Sequence, residues 1–390
     1  MQAQFWRRLL ASHVLHCSQL FDGEHLLEDQ LVHVEQGRIS RVVACPESPG
    51  EGVPSVPLLV PGLVDLQVNG GGGVLFNEAP TLATLETMAA AHRAGGTVGF
   101  LPTLISGRRE EIAAAIDAVA AATNAGSPGV LGIHLEGPWL NQSRRGAHAG
   151  ARLDVPTQED VALCSSLVRG KTLVTLAPEI AGEDTIRALA ARGVIVCGGH
   201  SEADLECTRR ALQAGMSGFT HLFNAMPPLL SRDPGMVGAA LTEDDAWFGI
   251  IADGHHVHPV TVRAAVRAKQ PARAVLVTDA MSTVGAPDAT FRLADAEVAL
   301  RDGRLSMPDG TLAGAHLDML SAVNNVARFA DIDWFEAVRM GSLYPARALG
   351  LEAELGRVAA GYRASFLVLG AQRMLRETWV DGVRYVIAAD

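Results

Sequence analysis

The sequence predicts a TIM-type (β/α)8 barrel with a small second domain built from strands. Short apolar or β-branched runs alternate with helical stretches rich in Ala, Leu and Arg, a pattern typical of βαβ units and a parallel sheet. Eight such runs end near Asp65, Leu101, Glu136, Ala177, His200, His221, Asp253 and Asp279. Helices are expected at residues 81–94, 108–124, 157–169, 183–192, 203–214, 259–269, 316–329 and 333–341. Several strands end in a carboxylate or an imidazole, and in such a barrel all strands open onto the face where the chemistry is done.

The two ends of the chain show a different, period-two pattern. Residues 31–34 and 39–43 alternate on either side of Gln36-Gly37, which predicts a hairpin with a glycine turn. Residues 365–369 and 378–386, near the C-terminal end, show the same strand-like pattern. We therefore expect a discontinuous small β-domain formed by residues 1–57 and 350–390, with the catalytic barrel in residues 58–349.

Composition and charge exclude several classes of protein. The hydrophobic fraction of 48% and the charged fraction of 19% are ordinary for a globular protein, and the 40 Gly and 19 Pro are dispersed, which excludes fibrous and disordered chains. The net charge is −11 and no long basic run is present, so neither nucleic acid nor a membrane is expected as a partner. The apolar run at residues 112–122 contains Asp117 and is too short to cross a bilayer. We expect a small-molecule partner.

Cysteine usage and the N-terminus predict a cytoplasmic protein. The five cysteines are Cys17, Cys45, Cys164, Cys197 and Cys207. They are widely spaced and form no C-x-x-C pair, which disfavours a disulfide framework and a thiolate zinc site. Arg7 and Arg8 precede only a short apolar stretch that His13 and His16 interrupt, unlike the core of a signal peptide.

Residues at the ends of three predicted strands form a candidate metal site. Glu136 lies in His-Leu-Glu-Gly-Pro, His200 in Cys-Gly-Gly-His-Ser, and His221 in Thr-His-Leu-Phe-Asn. One carboxylate and two neutral imidazoles make a three-ligand set for a divalent metal and leave a position open for water or substrate. A single histidine is more often an ordinary core or surface residue. Three such residues at equivalent barrel positions predict one divalent ion, with zinc favoured and iron or another ion as alternatives.

Asp279 ends the apolar run at residues 274–278, where it would face the same pocket. An acid in this place can take a proton from water and pass it to a leaving nitrogen. The alternative is an aspartate that caps the next helix. Its coincidence with the metal set favours the catalytic role.

The first barrel strand carries Gln67 and Asn69 directly before a run of four glycines. Metal-dependent hydrolases on this barrel often place a His-x-His pair here, so we interpret the two amides as a vestigial second-metal position. Neither of the two lysines, Lys171 and Lys269, lies at a strand's C-terminal end, so no bridging carboxylated lysine is expected. The glycine run lacks the Gly-Lys-Ser/Thr ending of a phosphate loop.

Two further features are weaker signals. Arg232 lies in a loop bounded by Pro and Gly and suits bidentate capture of a phosphate or carboxylate, although a solvated arginine is equally expected. His255 and His256 follow a strand and could bond a polar substrate. Residues 199–203 resemble a nucleophile elbow, but Ala203 replaces the final glycine, so a serine hydrolase is not expected.

The motifs around Glu136, His200, His221 and Asp279 resemble the N-acetylglucosamine-6-phosphate deacetylase family of the amidohydrolase superfamily. The likeness covers nearly the whole chain, with specific motifs at residues 134–139 and 220–226 and superfamily-wide ones at 61–65 and 355–361. The resemblance implies a barrel with a small β-sandwich domain made from both ends, and usually a homodimer.

The resemblance also implies residue roles. Glu136, His200 and His221 would be the metal ligands and Asp279 the acid/base, while Gln67 and Asn69 match the branch that holds one metal. The implied substrate contacts are Ala147, His148, Asn224, Ala225, Arg232, His256, Leu312, Ala313 and Gly314. Dimers of the family bring residues near Arg232 and His148 toward the neighbouring subunit's pocket.

The expected reaction is hydrolysis of N-acetyl-D-glucosamine 6-phosphate to D-glucosamine 6-phosphate and acetate, in amino-sugar catabolism or cell-wall sugar recycling. The same chemistry on the galactosamine epimer is the nearest alternative. The missing His-x-His pair and bridging lysine disfavour a cyclic-amide hydrolase or a deaminase. A non-enzymatic binding protein derived from this barrel should have lost the ligands or Asp279, and the chain retains all four residues.

Overall fold

The computed structural model describes residues 12–45, 47–148, 155–269, 271–293 and 296–387. The strands are β1 His13–Phe21, β2 Leu26–Glu35, β3 Arg38–Ala44, β4 Ser55–Pro61, β5 Leu63–Val68, β6 Gly70–Gly71, β7 Val74–Leu75, β8 Thr97–Ile105, β9 Gly132–Glu136, β10 Lys171–Leu176, β11 Ile195–Gly198, β12 Met216–Phe219, β13 Trp247–Ile250, β14 Ala274–Leu276, β15 Thr290–Leu293, β16 Ala296–Arg301, β17 Arg304–Ser306, β18 Phe366–Leu369, β19 Leu375–Val380 and β20 Val383–Val386. The helices are α1 Leu82–Arg93, α2 Arg109–Ala125, α3 Gln158–Cys164, α4 Pro178–Ala181, α5 Glu183–Ala190, α6 Leu205–Ala214, α7 Gly235–Thr242, α8 Pro259–Ala268, α9 Met319–Ala330, α10 Trp334–Gly341 and α11 Leu343–Ala348.

Eight parallel strands form the barrel, in the spatial order β5, β8, β9, β10, β11, β12, β13 and β14. Main-chain bonds join the first strand to the segment after the last one. The Asp279 amide donates to the Gln67 carbonyl at 3.0 Å, and the Asn69 amide donates to the Ala280 carbonyl at 2.8 Å. Strand β9 is buried along its whole length, as expected for a strand covered on both faces of the sheet. The predicted (β/α)8 barrel is confirmed.

The helices follow the sequence pattern closely, with one shortened and others unexpected. The helix predicted at residues 157–169 ends at Cys164, where the Ser165 hydroxyl donates to the Val161 carbonyl at 2.8 Å and so competes with further helical bonds. Helix α7 was not expected, because its two glycines lower helix propensity. Six of its eight residues are buried, so packing stabilises it. Among the residues described, no helix is both long and apolar enough to cross a membrane.

A seven-stranded sheet combines both ends of the chain, in the order β20, β19, β18, β4, β1, β2, β3. Its core includes Phe366 stacked on Trp379, with ring centroids 5.1 Å apart. The predicted hairpin joins β2 to β3, and Gln36 and Gly37 both have positive φ, at 51° and 77°, as a two-residue turn requires. Assignment of residues 1–57 and 350–390 to one domain stays a prediction, and residues 1–11, 46 and 388–390 of it lie outside the described residues.

A further three-stranded antiparallel sheet, β15 to β17, lies between β14 and α9 and was not predicted. We call it the small sheet. Its buried residues Leu293, Val298 and Leu305 pack with Met281, which follows the last barrel strand. The small sheet therefore lies against the C-terminal end of the barrel.

Candidate metal centre and active site

A cavity of about 350 Å³ opens at the C-terminal ends of the barrel strands. Predicted site residues that line it are Asn69, Glu136, Ala147, His148, His200, His221, Asn224, Ala225, His256, Asp279, Leu312 and Gly314. Residues that line it and were not predicted are Ile105, Ser143, Arg144, Gly146, Met281, Leu293 and Thr311. Most of the predicted site therefore meets in one cavity.

Glu136, His200 and His221 come together at the base of this cavity. Glu136 is the last residue of β9, and each histidine lies two residues beyond the end of its strand, β11 or β12. His200 Nε2 lies 3.0 Å from Glu136 Oε1, and His221 Nε2 lies 2.9 Å from the same oxygen. The two Nε2 atoms are 3.0 Å apart. Three ligand-type atoms thus form a compact triangle.

The triangle fits a divalent ion. Ligand atoms at about 2.0–2.1 Å from one tetrahedral ion lie roughly 3.3 Å from each other, close to the observed separations. His200 Nδ1 lies 2.8 Å from the Arg144 carbonyl oxygen, which accepts only if Nδ1 carries the ring proton. That bond leaves the Nε2 lone pair facing the centre of the triangle, as in metal-binding histidines. All three side chains are buried, so water does not compete for the ligand atoms.

Charge at the triangle suits metal binding as well. Burial alone would raise the pKa of Glu136, but the His200 and His221 rings against its carboxylate outweigh burial and hold its pKa well below the ordinary value. In His221, burial lowers the pKa and the Glu136 bond raises it, with a net rise. The carboxylate is therefore ionised, which is the form that binds metal.

The backbone is strained at three residues that follow barrel strands. His200, His221 and Asp279 have φ of 49°, 30° and 54°, in the left-handed region that residues with a side chain rarely adopt. Such conformations cost roughly 1–3 kcal/mol each and cluster at functional sites. The strain aims these side chains into the cavity.

His148 adds a third imidazole to the cluster. One ligand atom each from Glu136, His148 and His200 lie within 4.8 Å of one another, a set that could hold a metal ion. His148 Nε2 is 4.0 Å from Glu136 Oε1, so His148 is more distant than His221. Its Nδ1 lies 2.6 Å from the Ser106 hydroxyl. Ser106 was not predicted, because a serine after a strand is common.

Asp279 lies beside the triangle and is held by the first barrel strand. Its Oδ1 accepts from Gln67 Nε2 at 3.1 Å and from Asn69 Nδ2 at 2.6 Å. Burial raises the pKa of Asp279 to about 6, and the nearby Glu136 charge contributes in the same direction. A carboxyl with this pKa can both accept and donate a proton near neutral pH.

The predicted substrate residues divide into three groups. Ala147, His148, Asn224, Ala225, His256, Leu312 and Gly314 line the cavity. Ala313 is fully buried in the core of the small sheet and does not line it. Arg232 is exposed and lies outside the lining. His256 Nδ1 is 2.6 Å from Asp253 Oδ2, so Asp253 fixes the orientation of that ring.

A family model and individual proteins match the chain over most of its length. Residues 58–386 match the amidohydrolase family. An N-acetylgalactosamine-6-phosphate deacetylase from Shewanella sp. (strain ANA-3) is 44% identical over 83% of this chain and 82% of its own length. An N-acetylglucosamine-6-phosphate deacetylase from Vibrio furnissii is 34% identical over 95% of this chain and 94% of its own length.

A solved structure matches the chain over nearly its whole length. A mutant of N-acetyl-D-glucosamine-6-phosphate deacetylase from Mycobacterium smegmatis, in complex with N-acetyl-D-glucosamine-6-phosphate, superposes with a TM-score of 0.88 at 30% identity, covering 96% of this chain and 100% of that chain. The barrel with a polar cluster at its C-terminal face defines a hydrolase of the metal-dependent barrel class. The chain belongs to the amidohydrolase family, which confirms the resemblance found in the motifs.

Proposed function

We propose that the chain hydrolyses N-acetyl-D-glucosamine 6-phosphate to D-glucosamine 6-phosphate and acetate, a step of amino-sugar catabolism or cell-wall sugar recycling. The observation that carries this proposal is the meeting of the Glu136, His200 and His221 ligand atoms with Asp279 in one cavity. Relatives that are 34–44% identical over most of the chain are deacetylases of N-acetylated amino-sugar 6-phosphates.

Glu136, His200 and His221 would hold one divalent ion per chain, with Zn²⁺ favoured and Fe²⁺ as an alternative. When bound there, such an ion supplies Lewis-acid polarisation of the acetyl carbonyl and lowers the pKa of a water molecule toward about 7. Gln67 and Asn69 offer amides instead of imidazoles at the first strand, so one ion is the expected count.

Asp279 performs both proton transfers. It takes a proton from the attacking water as the oxygen bonds to the acetyl carbon, and returns it to the nitrogen as the carbon–nitrogen bond breaks. An amine then departs instead of an amide anion.

His148 is the donor to the developing oxyanion. Burial, with the neighbouring His200, lowers the pKa of His148 to about 3, so its ring is neutral. If the Ser106 hydroxyl donates to Nδ1, the single ring proton lies on Nε2, which faces Glu136. A fixed neutral donor at this place stabilises the charge that appears on the carbonyl oxygen.

We propose that the sugar lies between the loop carrying Asn224 and Ala225 and the segment carrying Leu312 and Gly314. His256 would bond a polar group of the substrate, since its Nδ1 is committed to Asp253 and its Nε2 remains for the ligand. The apolar lining from Ile105, Met281 and Leu293 would contact the acetyl methyl group.

We propose a homodimer in which Arg232 binds the 6-phosphate of the neighbouring subunit. Arg232 is exposed close in sequence to Leu229 and Leu230, whose exposed fractions are 52% and 54%, so this loop presents apolar surface that a neighbouring subunit would cover. Charge-assisted guanidinium bonds suit a phosphate.

All five cysteines are free, which supports a reducing cytoplasm as the compartment.

N-acetylgalactosamine 6-phosphate is the second candidate substrate, because the Shewanella relative that acts on this epimer is 44% identical to the chain. The epimers differ only at the sugar C4 hydroxyl, so the contacts made to that hydroxyl would decide between them.

Release of acetate from each epimer by the purified protein tests the proposal. We expect the glucosamine epimer to be turned over with the higher kcat/KM. A higher kcat/KM on the galactosamine epimer would assign the second candidate. No acetate from either would refute the deacetylase function.

A further inference from the structure

We infer that Gln67 and Asn69 form a positioning pair, whose amide N–H groups hold the Asp279 carboxylate and join it to Glu136. This inference rests on the proposed function, in which Asp279 moves the protons. The interpretation of these residues as a vestigial second-metal position leaves them without a function, whereas a positioning pair has a role in the one-metal reaction.

The contacts join both carboxylates to one strand. Gln67 Nε2 lies 3.2 Å from Glu136 Oε2 and 3.1 Å from Asp279 Oδ1, so a single amide bridges the two acids. Asn69 Nδ2 adds a second bond to Asp279 Oδ1 at 2.6 Å. Glu136 thereby presents Oε2 to the amide and Oε1 to the two histidines. The bridge determines which oxygen of Glu136 remains for the metal centre.

Each amide points its N–H group at a carboxylate, and its own carbonyl oxygen is left without a hydrogen bond. Gln67 Oε1 and Asn69 Oδ1 are buried and have no hydrogen-bond partner among the described residues. An unsatisfied buried acceptor is destabilising, because it has lost its hydrogen bonds to water. Rotating either amide would place its oxygen against a carboxylate oxygen, which is worse. Two such unpaired acceptors at the C-terminal end of β5 indicate that the N–H groups serve the carboxylates.

The main chain makes this arrangement rigid. The Asp279 amide bonds to the Gln67 carbonyl, and the Asn69 amide bonds to the Ala280 carbonyl, so the backbones that carry the amides and the acid are tied together. Asp279 has a strained φ of 54°, a conformation that persists only where its surroundings hold it. Side-chain and main-chain bonds together provide that support.

The hydrogen bonds also make the two carboxylate oxygens of Asp279 different from each other. Both amides bond to Oδ1. Oδ2 is therefore the oxygen left to take the water proton and return it to the nitrogen. A carboxylate free to rotate would present this oxygen for only part of the time, and misplacement by about 1 Å can cost 10²-fold in rate.

Replacing each amide by a side chain of similar size that cannot donate tests the inference. We expect Asn69→Leu and Gln67→Met to keep one metal equivalent per chain and a KM within about threefold, while kcat falls about 10–100-fold. Asn69→Asp keeps the shape but adds a negative charge beside Asp279, so its kcat should fall further than that of Asn69→Leu. Asn324→Leu is the matched control, since the Asn324 amide oxygen accepts from Trp334 Nε1 at 2.8 Å on α9 and α10, away from the cavity. It should lower Tm and leave kcat unchanged.

A double-mutant cycle separates positioning from a general structural effect. If Asn69 acts through Asp279, adding Asn69→Leu to Asp279→Asn should change the residual kcat less than twofold. A full additional loss in that background would overturn the inference, as would wild-type kcat in both Asn69→Leu and Asn69→Asp, or loss of the metal along with activity. Each of these outcomes leaves acetate release by the wild-type protein intact, so a failure here is distinct from failure of the proposed function.

Discussion

Asp279 is the residue whose chemistry the mechanism depends on most. Asparagine keeps its size and can still meet the neighbouring amides, but it cannot accept a proton. We expect Asp279→Asn to fold, retain the metal and keep KM, while kcat falls about 10²–10⁴-fold. Elemental analysis and steady-state kinetics check this. Loss of the metal with activity would instead make Asp279 a ligand.

The pH dependence of wild-type activity follows from the same carboxyl. Burial raises the pKa of Asp279 to about 6, and only its ionised form accepts the water proton. We therefore expect kcat to fall as pH drops through about 6, and this acid limb to be missing from the residual activity of Asp279→Asn. An identical limb in both proteins would assign it to another group.

Asp65, beneath Asp279, predicts a pH-dependent stability. Its carboxylate lies 2.5 Å from the Thr278 hydroxyl, and burial raises its pKa to about 7. Because the folded pKa lies above the unfolded value of about 3.9, the stability that this group contributes is lost as pH rises toward 7. Asp65→Asn removes that loss. As the pH rises from about 5 to 7, the free energy of unfolding of Asp65→Asn should increase by about 2–3 kcal/mol relative to that of the wild type. Urea unfolding at several pH values measures this difference. If the unfolding free energies of the two proteins changed with pH in parallel, Asp65 would be ionised in the folded protein.

Most of the residues that meet in the cavity were predictable from the sequence, whereas their contacts were not. His134 shows why. It lies two residues before Glu136 on the same strand and is equally buried, but its Nδ1 and Nε2 contact the hydroxyls of Thr103 and Thr175. Burial lowers its pKa to about 4, so it is a neutral core histidine. Only the structure, in which β9 pairs with β8 and β10, shows that His134 contacts threonines of the neighbouring strands while His200 contacts Glu136.

At the scale of elements, the small sheet forms one wall of the cavity. Leu293 lines the cavity, and Val298 is fully buried in the sheet's own core. We expect Val298→Asp to disrupt the small sheet and raise KM, because a buried charge without a partner is costly. The metal content should stay at one equivalent, since the ligands belong to the barrel. Unchanged KM would remove the small sheet from substrate binding.

The small sheet was missed although its sequence carries a signal. Asp302-Gly303 between two short runs is a two-residue hairpin pattern, and both residues have positive φ, at 50° and 77°. The strands on either side are short and partly exposed, so alternation alone did not reveal them. Barrel strands such as β9 were predictable, because burial on both faces makes them continuously apolar up to the functional residue.

At the scale of the whole molecule, Arg232 tests the proposed dimer. If it binds the phosphate of the neighbouring site, Arg232→Ala should reduce kcat/KM for the phosphorylated sugar far more than for the plain N-acetyl sugar. Mixing this variant with Asp279→Asn and allowing subunits to exchange should restore roughly a quarter of wild-type activity, because half of the dimers then contain one intact site.

The same mixing experiment has a clear opposite result. If Arg232 served the cavity of its own chain, every site in the hybrid would lack either Arg232 or Asp279, and activity would stay at the level of the two variants. Equal losses on both sugars would give Arg232 a structural role.

A metal titration shows whether the protein is a one-metal deacetylase. Protein stripped by a chelator is titrated with Zn²⁺ while acetate release from N-acetylglucosamine 6-phosphate is measured. We expect activity to rise linearly and to level off at one equivalent per chain, as the triangle of Glu136, His200 and His221 predicts. Full activity in the stripped protein, or a rise that continues to two equivalents, would show that the reaction does not depend on a single metal ion.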